Sequence, residues 1–353
     1  MPTQMMQIQE LLRGYVVDKG NIQSVGNMTV IPIVSDVEFT NVADINDVKL
    51  KRDVTYNTLE FTNMSGQVGI VLQGWTMIEP DQKAQDRTVP HAQLIRAANS
   101  KMVPANCVQR TQGGLFDVSR ISQEKFMVLP PSLRGIALKK STYTTSNVGD
   151  LWEDLGRWIT GVDCNTNGLQ IFYSQFEDKL EQFVAQFEPV EKQLGAIVMI
   201  NGQIVAIDIL PKYDSWKNCW RALIRDSYGA EAVRVATNDG SVDISPKVDI
   251  SSINTIDDLI NVYEDSKSKF YNEIQSIVGQ SIQLNVLFKT LEQLGELTML
   301  KLENEQFVGQ GVLHGDNHFV YLSLMSTKGK AAPVKRFSSL RREPYTDSSF
   351  LFR

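Results

Sequence analysis

The sequence predicts an α+β protein with an antiparallel β-sheet core and packed helices, in which the N-terminal half is mostly β. Strand-sized apolar runs, separated by Asp, Asn and Gly, fill the chain from Gly26 to about Met127. An Asn-Gly dipeptide joins two further β-rich runs near residue 200, and four segments have apolar residues at helical spacing. A chain of 353 residues with 42% hydrophobic residues is long enough to bury a substantial core.

The first residues differ in pattern from the β-rich segment that follows. Apolar residues between Thr3 and Tyr15 recur at a spacing that predicts a short amphipathic helix. Within the β-rich half, the segment 89–101 fits either a short helix or a strand and loop, and the pattern leaves both open.

Two helices are predicted between residues 150 and 190. Asp150 and Glu153 fit a capping box for a helix over 151–160. A second apolar stripe predicts a helix over 177–187, which must end before Pro189 because proline disfavours helical geometry in the residue before it.

The strongest local pattern is a hairpin followed by a helix. The runs 196–200 and 203–210 flank Asn-Gly, the dipeptide that best accepts the two positive φ values of a type I′ turn. Apolar residues over 216–228 then take up helical spacing, and Gly229 stands where a helix-ending glycine is expected.

A last long helix is predicted over 256–278. Thr255 and Asp258 fit its N-terminal cap, Gly279 fits its end, and its apolar stripe is expected to face the core. The Asp- and Ser-rich stretch 238–254 before it is expected to be a long surface loop.

Composition excludes several classes of protein. The net charge of −6 and the isoelectric point near 5.3 argue against general binding of nucleic acid or of an anionic membrane, which both need clustered cations. The chain has no apolar run of about 18 residues, and its first residues lack the pattern of a secretory signal. We therefore expect a soluble protein of cytoplasmic origin.

Catalytic signatures are absent from the sequence. It contains no GxGxxG, GxxxxGK[ST], GxSxG or HExxH motif, so no cofactor is predicted. Its three cysteines, Cys107, Cys164 and Cys219, are far apart and form no CxxC pair, which is typical of reduced thiols. Cys219 falls on the inward face of a predicted helix, and Cys107 has no histidine near it in sequence to activate it.

One polar cluster is suited to ligand recognition. Arginine offers a planar fork that matches phosphate or carboxylate, and Gln and Asp can bind ribose hydroxyls or a base edge. Alternatively, an ion pair at a strand end explains the Asp-Arg pair. The residues of this candidate site are Gln85, Asp86, Arg87, Gln109 and Arg110.

The histidines near the C-terminus form a weaker candidate. A turn at 315–317 would place His314 opposite His318 with Asp316 beside them, where a metal or phosphate could bind. Two imidazoles and one carboxylate are too few to specify a structural zinc site, and histidines at loop tips are commonly solvated, so no metal site is predicted.

Four segments in the same order resemble the "ARG and rhodanese-phosphatase-superfamily-associated protein" (ARPP) family. The resemblance covers roughly residues 24 to 325. The segments are GNMTVIPI at 26–33, KAQDRTVPHAQLI at 83–95 with VPANCVQR at 103–110, the hairpin and helix at 194–232, and FVGQGVLHGDNHFVYLSLM at 307–325.

The resemblance implies a place in NAD or ADP-ribose metabolism or in conflicts between phages and bacteria. It adds Asp208, which matches the aspartate of the family's hairpin, to the candidate site. Leu210, near Asp208, stands where the family pattern has Phe. Asp86 stands where the pattern has Asn, Gln109 stands where it has an acid, and residues 111–116 do not reproduce its Gly-Arg-Trp. If those positions are catalytic in relatives, this protein keeps a pocket without the activity.

Three functions remain open at this point. The first is a binding module for an ADP-ribose-like or other phosphorylated nucleotide. The second is a hydrolase or transferase acting on such a ligand, with Asp86 or Asp208 as general base. The third is a structural or assembly protein, such as a viral one.

The sequence also divides into three parts. They are an amphipathic N-terminal helix within 1–23, an ARPP-like domain at 24–325 and a basic tail at 326–353. The tail carries seven Lys or Arg against two acids and ends in SSFLFR. It is either solvated or an arm that docks, together with the N-terminal helix, on a second copy or another protein.

Overall fold

A ten-stranded antiparallel sheet organises the molecule, as expected for the α+β class. The computed structural model describes residues 4–78, 85–108, 115, 126–146, 151–159, 169–239, 255–315 and 317–327. Within these residues, no helix is both long and apolar enough to span a membrane.

The described elements are numbered in chain order. The strands are β1 (Gln4–Gln7), β2 (Val16–Val17), β3 (Gln23–Val25), β4 (Met28–Val34), β5 (Val48–Thr55), β6 (Thr58–Asn63), β7 (Gly69–Val71), β8 (Trp75–Met77), β9 (Arg87–Thr88), β10 (Gln93–Ile95), β11 (Ser100–Pro104), β12 (Asn106–Cys107), β13 (Met127–Val128), β14 (Gln193–Ile200), β15 (Gln203–Ile209), β16 (Asn285–Leu294), β17 (Leu297–Glu303), β18 (Phe307–His314) and β19 (Phe319–Ser326). The helices are α1 (Ile8–Leu11), α2 (Pro131–Lys140), α3 (Trp152–Ile159), α4 (Leu169–Gln175), α5 (Glu177–Gln186), α6 (Tyr213–Arg221), α7 (Ala230–Asp239) and α8 (Ile256–Ile282), with a π-helical segment, Ala222–Gly229, between α6 and α7.

The large sheet has the strand order β1-β16-β17-β18-β19-β15-β14-β4-β2, and β3 also pairs with β4. All of its pairings are antiparallel, so the Rossmann-like parallel sheet that would contradict the predicted class is not the observed architecture. Smaller sheets, with orders β10-β7, β11-β6-β5 and β12-β9-β8-β13, form much of the N-terminal half.

The large sheet has an apolar layer on each face. Side chains alternate along each strand, so Ile207 and Ile209 of β15 join the cluster that α1 and α8 cover. Ala206 and Leu210 join a larger cluster on the other face, which contains the remaining helices and the small sheets. Asp208 lies between Ala206 and Leu210 in the alternation and therefore points toward this second layer.

The predicted hairpin and the two short helices before it are confirmed. Strands β14 and β15 meet at Asn201 and Gly202, whose φ angles of 49° and 76° are those of a type I′ turn. Helix α3 lies within the predicted 151–160, although its expected cap at Asp150 is outside the described residues. Helix α5 ends at Gln186, before Pro189 as expected.

The segment 89–101, which fitted either a helix or a strand and loop, takes the second form. Strand β10 pairs with β7, and β11 begins at Ser100 after the connecting loop. Two helices, α2 and α4, were not predicted, and α2 later supplies a residue of the candidate site.

The N-terminal helix expected over 3–15 is wrong in extent. The helix is only the one turn of α1, and β1 before it pairs with β16 at the edge of the large sheet. The apolar residues that predicted this short helix have different environments, since Ile8 and Leu11 of α1 are buried while Met5 is exposed on the edge strand.

Gly229 does not end its helix, contrary to the expectation. The chain passes from α6 through the π-helical segment into α7, which continues to Asp239 into the stretch expected to be a loop. A Cβ on Gly229 would lie 2.5 Å from the Ile224 carbonyl oxygen and 3.2 Å from Phe183. The glycine therefore permits close packing at the π-helical turn and is not a stop signal.

The last helix extends beyond Gly279 to Ile282, and its cap at Thr255 and Asp258 is confirmed. Its stripe is only partly core. Phe270, Ile274 and Val278 are buried, whereas the residues of the first two turns, expected in the core, are exposed at Ile256 (77%), Leu259 (44%), Ile260 (53%) and Tyr263 (47%).

Close strand packing at Gly309 yields a stability prediction. A Cβ at this position would lie 2.1 Å from the Ser323 carbonyl oxygen, so Gly309→Ala is expected to lower the free energy of unfolding by about 1–3 kcal/mol or more. Gly279→Ala is the matched control, because a Cβ at that position in α8 meets nothing within 4 Å. This substitution should raise the free energy of unfolding by about 0.5–1 kcal/mol. Urea denaturation of both variants measures the two changes, and equal effects would contradict the packing argument.

Candidate functional site

A buried carboxylate on the central strand β15 is held by three donors. The guanidinium of Arg134 binds Asp208 with both terminal nitrogens, Nη1 to Oδ1 at 2.8 Å and Nη2 to Oδ2 at 2.9 Å. The hydroxyl of Tyr228 donates to Oδ2 at 2.6 Å. Asp208 is buried, on a strand that lies between β14 and β19.

Two unusual backbone features bring these donors to Asp208. Arg134 projects from α2 across Gly74, whose φ is +74° and where a Cβ would lie 2.5 Å from Cδ of Arg134. Glycine is therefore required at this position for two reasons: its φ is positive, and a Cβ would clash with the side chain of Arg134. Tyr228 comes from the π-helical segment, a form of helix that is often found at functional sites.

Polar residues continue across the sheet beside this ion pair. Ser323 is the register partner of Asp208 on β19, and Gln310 is the register partner of Ser323 on β18. Arg134 Nη1 also donates to Ser323 Oγ at 2.8 Å, and Gln310 Oε1 accepts from the backbone nitrogen of Ala92 at 2.8 Å. A row of hydrogen-bonded side chains thus crosses three strands inside an apolar layer.

A cavity of about 20 Å³ adjoins the row. Three of its lining side chains have a buried polar atom without a hydrogen-bond partner: Gln73 Oε1, Arg134 Nε and Trp216 Nε1. The volume suits a group of the size of a water molecule or hydroxyl, and one acceptor with two donors suits a group that both donates and accepts. The cavity is too small for a whole nucleotide.

The ionisable groups around Asp208 are buried, and burial changes the pKa of each of them. Burial lowers the pKa of Arg134, but the adjoining Asp208 carboxylate outweighs this and raises it above the ordinary value. Burial raises the pKa of Tyr228 and of Tyr321, so both phenols stay protonated and can donate hydrogen bonds.

A second buried cluster contains the first three residues of the sequence-predicted site. Arg87 is fully buried, with its Nη1 donating to the Gln85 carbonyl oxygen at 2.6 Å and its Nη2 lying 3.5 Å from Asp53 Oδ2. Its guanidinium stacks over the ring of Tyr56 at 5.3 Å from the centroid. Asp86 is also buried, and both of its carboxylate oxygens lie 3.4 Å from Nε2 of Gln170. The cluster thus contains an Asp-Arg ion pair, but with Asp53 as the acid.

Strand β12, which precedes the other half of the predicted site in the sequence, pairs with β9 of this cluster. β9 and β12 are antiparallel, with Cys107 opposite Arg87, and the backbone nitrogen of Val108 donates to the Asp86 carbonyl oxygen at 3.1 Å. Gln109 and Arg110 come next in the sequence and lie outside the described residues. Burial raises the pKa of the Cys107 thiol to about 11, which argues against a nucleophilic thiolate.

The predicted site residues therefore fall into two groups. Gln85, Asp86 and Arg87 share one cluster, whereas Asp208 has its hydrogen bonds with Arg134 and Tyr228. Arg134 was missed by sequence reasoning, although Pro130-Pro131 before it is a signal for the start of a helix. Tyr228 was missed because it stood beside a glycine interpreted as the end of a helix.

The histidine hairpin is packed against a neighbouring aromatic ring. The rings of His314 and His318 lie 6.1 and 6.2 Å from that of Phe39, and His314 Nε2 lies 2.7 Å from the side-chain amide of Asn41. Asp316 lies outside the described residues. Among the described residues, no group of three or more His, Cys, Asp or Glu side chains could hold a metal ion.

Comparison with known proteins gives one match. A family model described as "ARG and Rhodanese-Phosphatase-superfamily-associated Protein domain" matches residues 16–325, which include both buried clusters. No curated protein and no solved structure matches the chain.

The bidentate ion pair predicts a large effect of a small substitution. Asp208→Asn keeps the shape but leaves the Arg134 charge buried without a partner, so the free energy of unfolding should fall by about 3–5 kcal/mol. Lys192→Ala removes the exposed ion pair with Asp36 and should leave stability nearly unchanged. Chemical denaturation compares the two variants, and a small effect at Asp208 would show that the pair is dispensable.

A second carboxyl predicts a pH dependence of stability. Burial raises the pKa of Asp226, in the π-helical segment, from 3.8 to about 6, despite the opposing effect of Arg225. Because the folded-state pKa is the higher one, the contribution of this carboxyl to stability is complete below pH 3.8 and is lost as the pH rises to about 6.

Asp226→Asn should abolish this dependence. Relative to the wild type, the variant should gain free energy of unfolding as the pH rises between those two values, with no further change above pH 6. Urea denaturation at a series of pH values measures the difference. A constant difference across that window would mean that Asp226 has an ordinary pKa.

Proposed function

Because the chain belongs to the ARG and rhodanese-phosphatase-superfamily-associated protein domain family, we propose that it is a binding module for a phosphorylated nucleotide of the ADP-ribose class. The setting that we propose is NAD or ADP-ribose metabolism, or conflict between phages and bacteria. The binding site consists of Gln85, Asp86, Arg87, Gln109 and Arg110, with Asp208 as a positioning residue.

The observation that carries the proposal is the pairing of β9 with β12. It aligns the chain leading to Gln109 with Asp86, since Val108 donates a backbone hydrogen bond to the Asp86 carbonyl. We propose that Gln109 and Arg110, which follow Val108 in the sequence, join Gln85, Asp86 and Arg87 in one site. Guanidinium and amide groups together suit an anionic ligand with hydroxyls and a base.

The two arginines of this site have different roles. Arg87 is enclosed by Asp53, Tyr56 and the Gln85 carbonyl, so it orients the backbone of Gln85 and does not reach solvent. Arg110 is the residue that we assign to the ligand phosphate. Gln85 and Gln109 are assigned to hydroxyls or to the base edge, because their amides both donate and accept hydrogen bonds.

We assign Asp208 an indirect role, in which it stabilises the fold that supports the binding site. Both of its oxygens already accept hydrogen bonds from Arg134 or Tyr228. These bonds favour an anchor over a general base, and they weigh against the alternative of a hydrolase that uses Asp208. A hydrolase that uses Asp86 is the second candidate, and it is distinguished by turnover of the bound nucleotide.

We further propose that residues 24–325 form the binding module and that the flanking segment 1–23 contacts a second copy or another protein. Strand β1 supports this because it lies at the edge of the large sheet, where backbone groups can accept another strand. An assembly protein that keeps this fold without a ligand is the alternative, and it predicts no nucleotide binding at all.

Calorimetry with ADP-ribose, NAD and cyclic ADP-ribose tests the proposal. Arg110→Ala should weaken the binding of ADP-ribose by about tenfold to a hundredfold, the loss of a hydrogen-bonded charge worth about 1.5–3 kcal/mol. Arg96→Ala is the matched control, since Arg96 is exposed on the loop after β10. Its affinity should equal that of the wild type.

Arg87→Lys completes the series. It keeps the charge opposite Asp53 but removes the planar fork, so binding should weaken while the protein stays folded, as monitored by circular dichroism. Failure of the wild type to bind any of the three nucleotides, or equal affinity of the Arg110 variant and the wild type, would refute the proposed site.

A further inference from the structure

The first half of α8 presents an apolar face that no described residue covers. Ile256, Ile260 and Tyr263 are spaced four and three residues apart and continue the stripe that becomes buried from Phe270 onward. The four large apolar side chains of these turns, including Leu259, are 44% to 77% exposed. A helical face of this kind is typical of a site for a partner segment.

The charge of this half helix selects among possible partners. Residues 256–269 contain four acids and two lysines, and the acids Asp257 and Glu264 lie on one flank of the stripe, each about 100° around the helix from the stripe residue before it. A basic partner with apolar anchors would match both the charge and the stripe. The segment 328–353 has this composition, with seven Lys or Arg, two acids and the anchors Phe350, Leu351 and Phe352.

The connection of that segment to the fold permits the contact. Thr327, at its start, donates to the Gln306 carbonyl at 2.7 Å, and Asn304 in the same turn binds the Asn285 carbonyl close to the C-terminal end of α8. Tyr263 is about 30 Å from that end at 1.5 Å per helical residue. The chain from Thr327 to Phe350 can span about 75 Å when extended, more than twice that distance.

We propose that the segment 328–353 docks on the apolar face of α8 formed by Ile256, Leu259, Ile260 and Tyr263, within the same chain. Phe350, Leu351 and Phe352 pack on the stripe, and Arg341 and Arg342 pair with Asp257 and Glu264, which flank the stripe on one side. Attachment at Thr327 gives the segment a high effective concentration at the helix, which favours this occupant over a free partner. The proposal is independent of nucleotide binding.

Photo-crosslinking in the full-length protein tests the contact. With p-benzoylphenylalanine in place of Tyr263, irradiation should link α8 to the tryptic peptide that contains Phe350 within a monomer, as identified by mass spectrometry. The same probe in place of Ser268, which is exposed and about 140° around the helix, should give at least about tenfold less of this product. Circular dichroism confirms that both proteins are folded.

Substitutions in the segment itself separate its two kinds of contact. Replacing Phe350, Leu351 and Phe352 by Ser should lower the cross-link yield about tenfold. Arg341→Glu with Arg342→Glu should also lower it, and adding Asp257→Lys with Glu264→Lys should restore it. A cross-link to residues 240–254, a covalent dimer, or no cross-link at Tyr263 would overturn the proposal.

Discussion

The ion pair between Arg134 and Asp208 is the interaction on which the middle of the molecule depends. It joins α2 to the central strand β15, and through Ser323 and Tyr228 it also reaches β19 and the π-helical segment. Breaking a buried pair on one side costs about 3–5 kcal/mol, against a typical net stability of about 5–15 kcal/mol. The position of these four elements is therefore tied to one charge pair.

Much of the fold follows from patterns that lie within short stretches of sequence. The hairpin at Asn201-Gly202 depends on two backbone angles and on alternation, and both are local properties. The error at Gly229 shows the limit of such patterns, because a glycine that ends a helix and one that admits a neighbouring helix are identical in sequence. Only the proximity of Phe183, which comes from α5, distinguishes them.

The candidate site was less predictable than the fold, for a physical reason. Gln85, Asp86 and Arg87 were visible as a polar cluster, but their partners Asp53, Tyr56 and Gln170 are distant in sequence. Helix α2 was missed because Arg134 is buried on its inward face beside Leu133 and Ala137, which blurs the segregation of polar and apolar residues on which helical patterns depend. A buried charge thus hides the element that carries it.

The two buried arginines have different surroundings, and the difference supports separate roles. Arg134 makes two parallel bonds of 2.8 and 2.9 Å to its carboxylate, the geometry of a rigid fork. Arg87 contacts Asp53, the Gln85 carbonyl oxygen and the ring of Tyr56, and its strand β9 pairs with β12. The Arg134 pair therefore ties the large sheet to the helices, and the proposed recognition role falls to the cluster around Arg87.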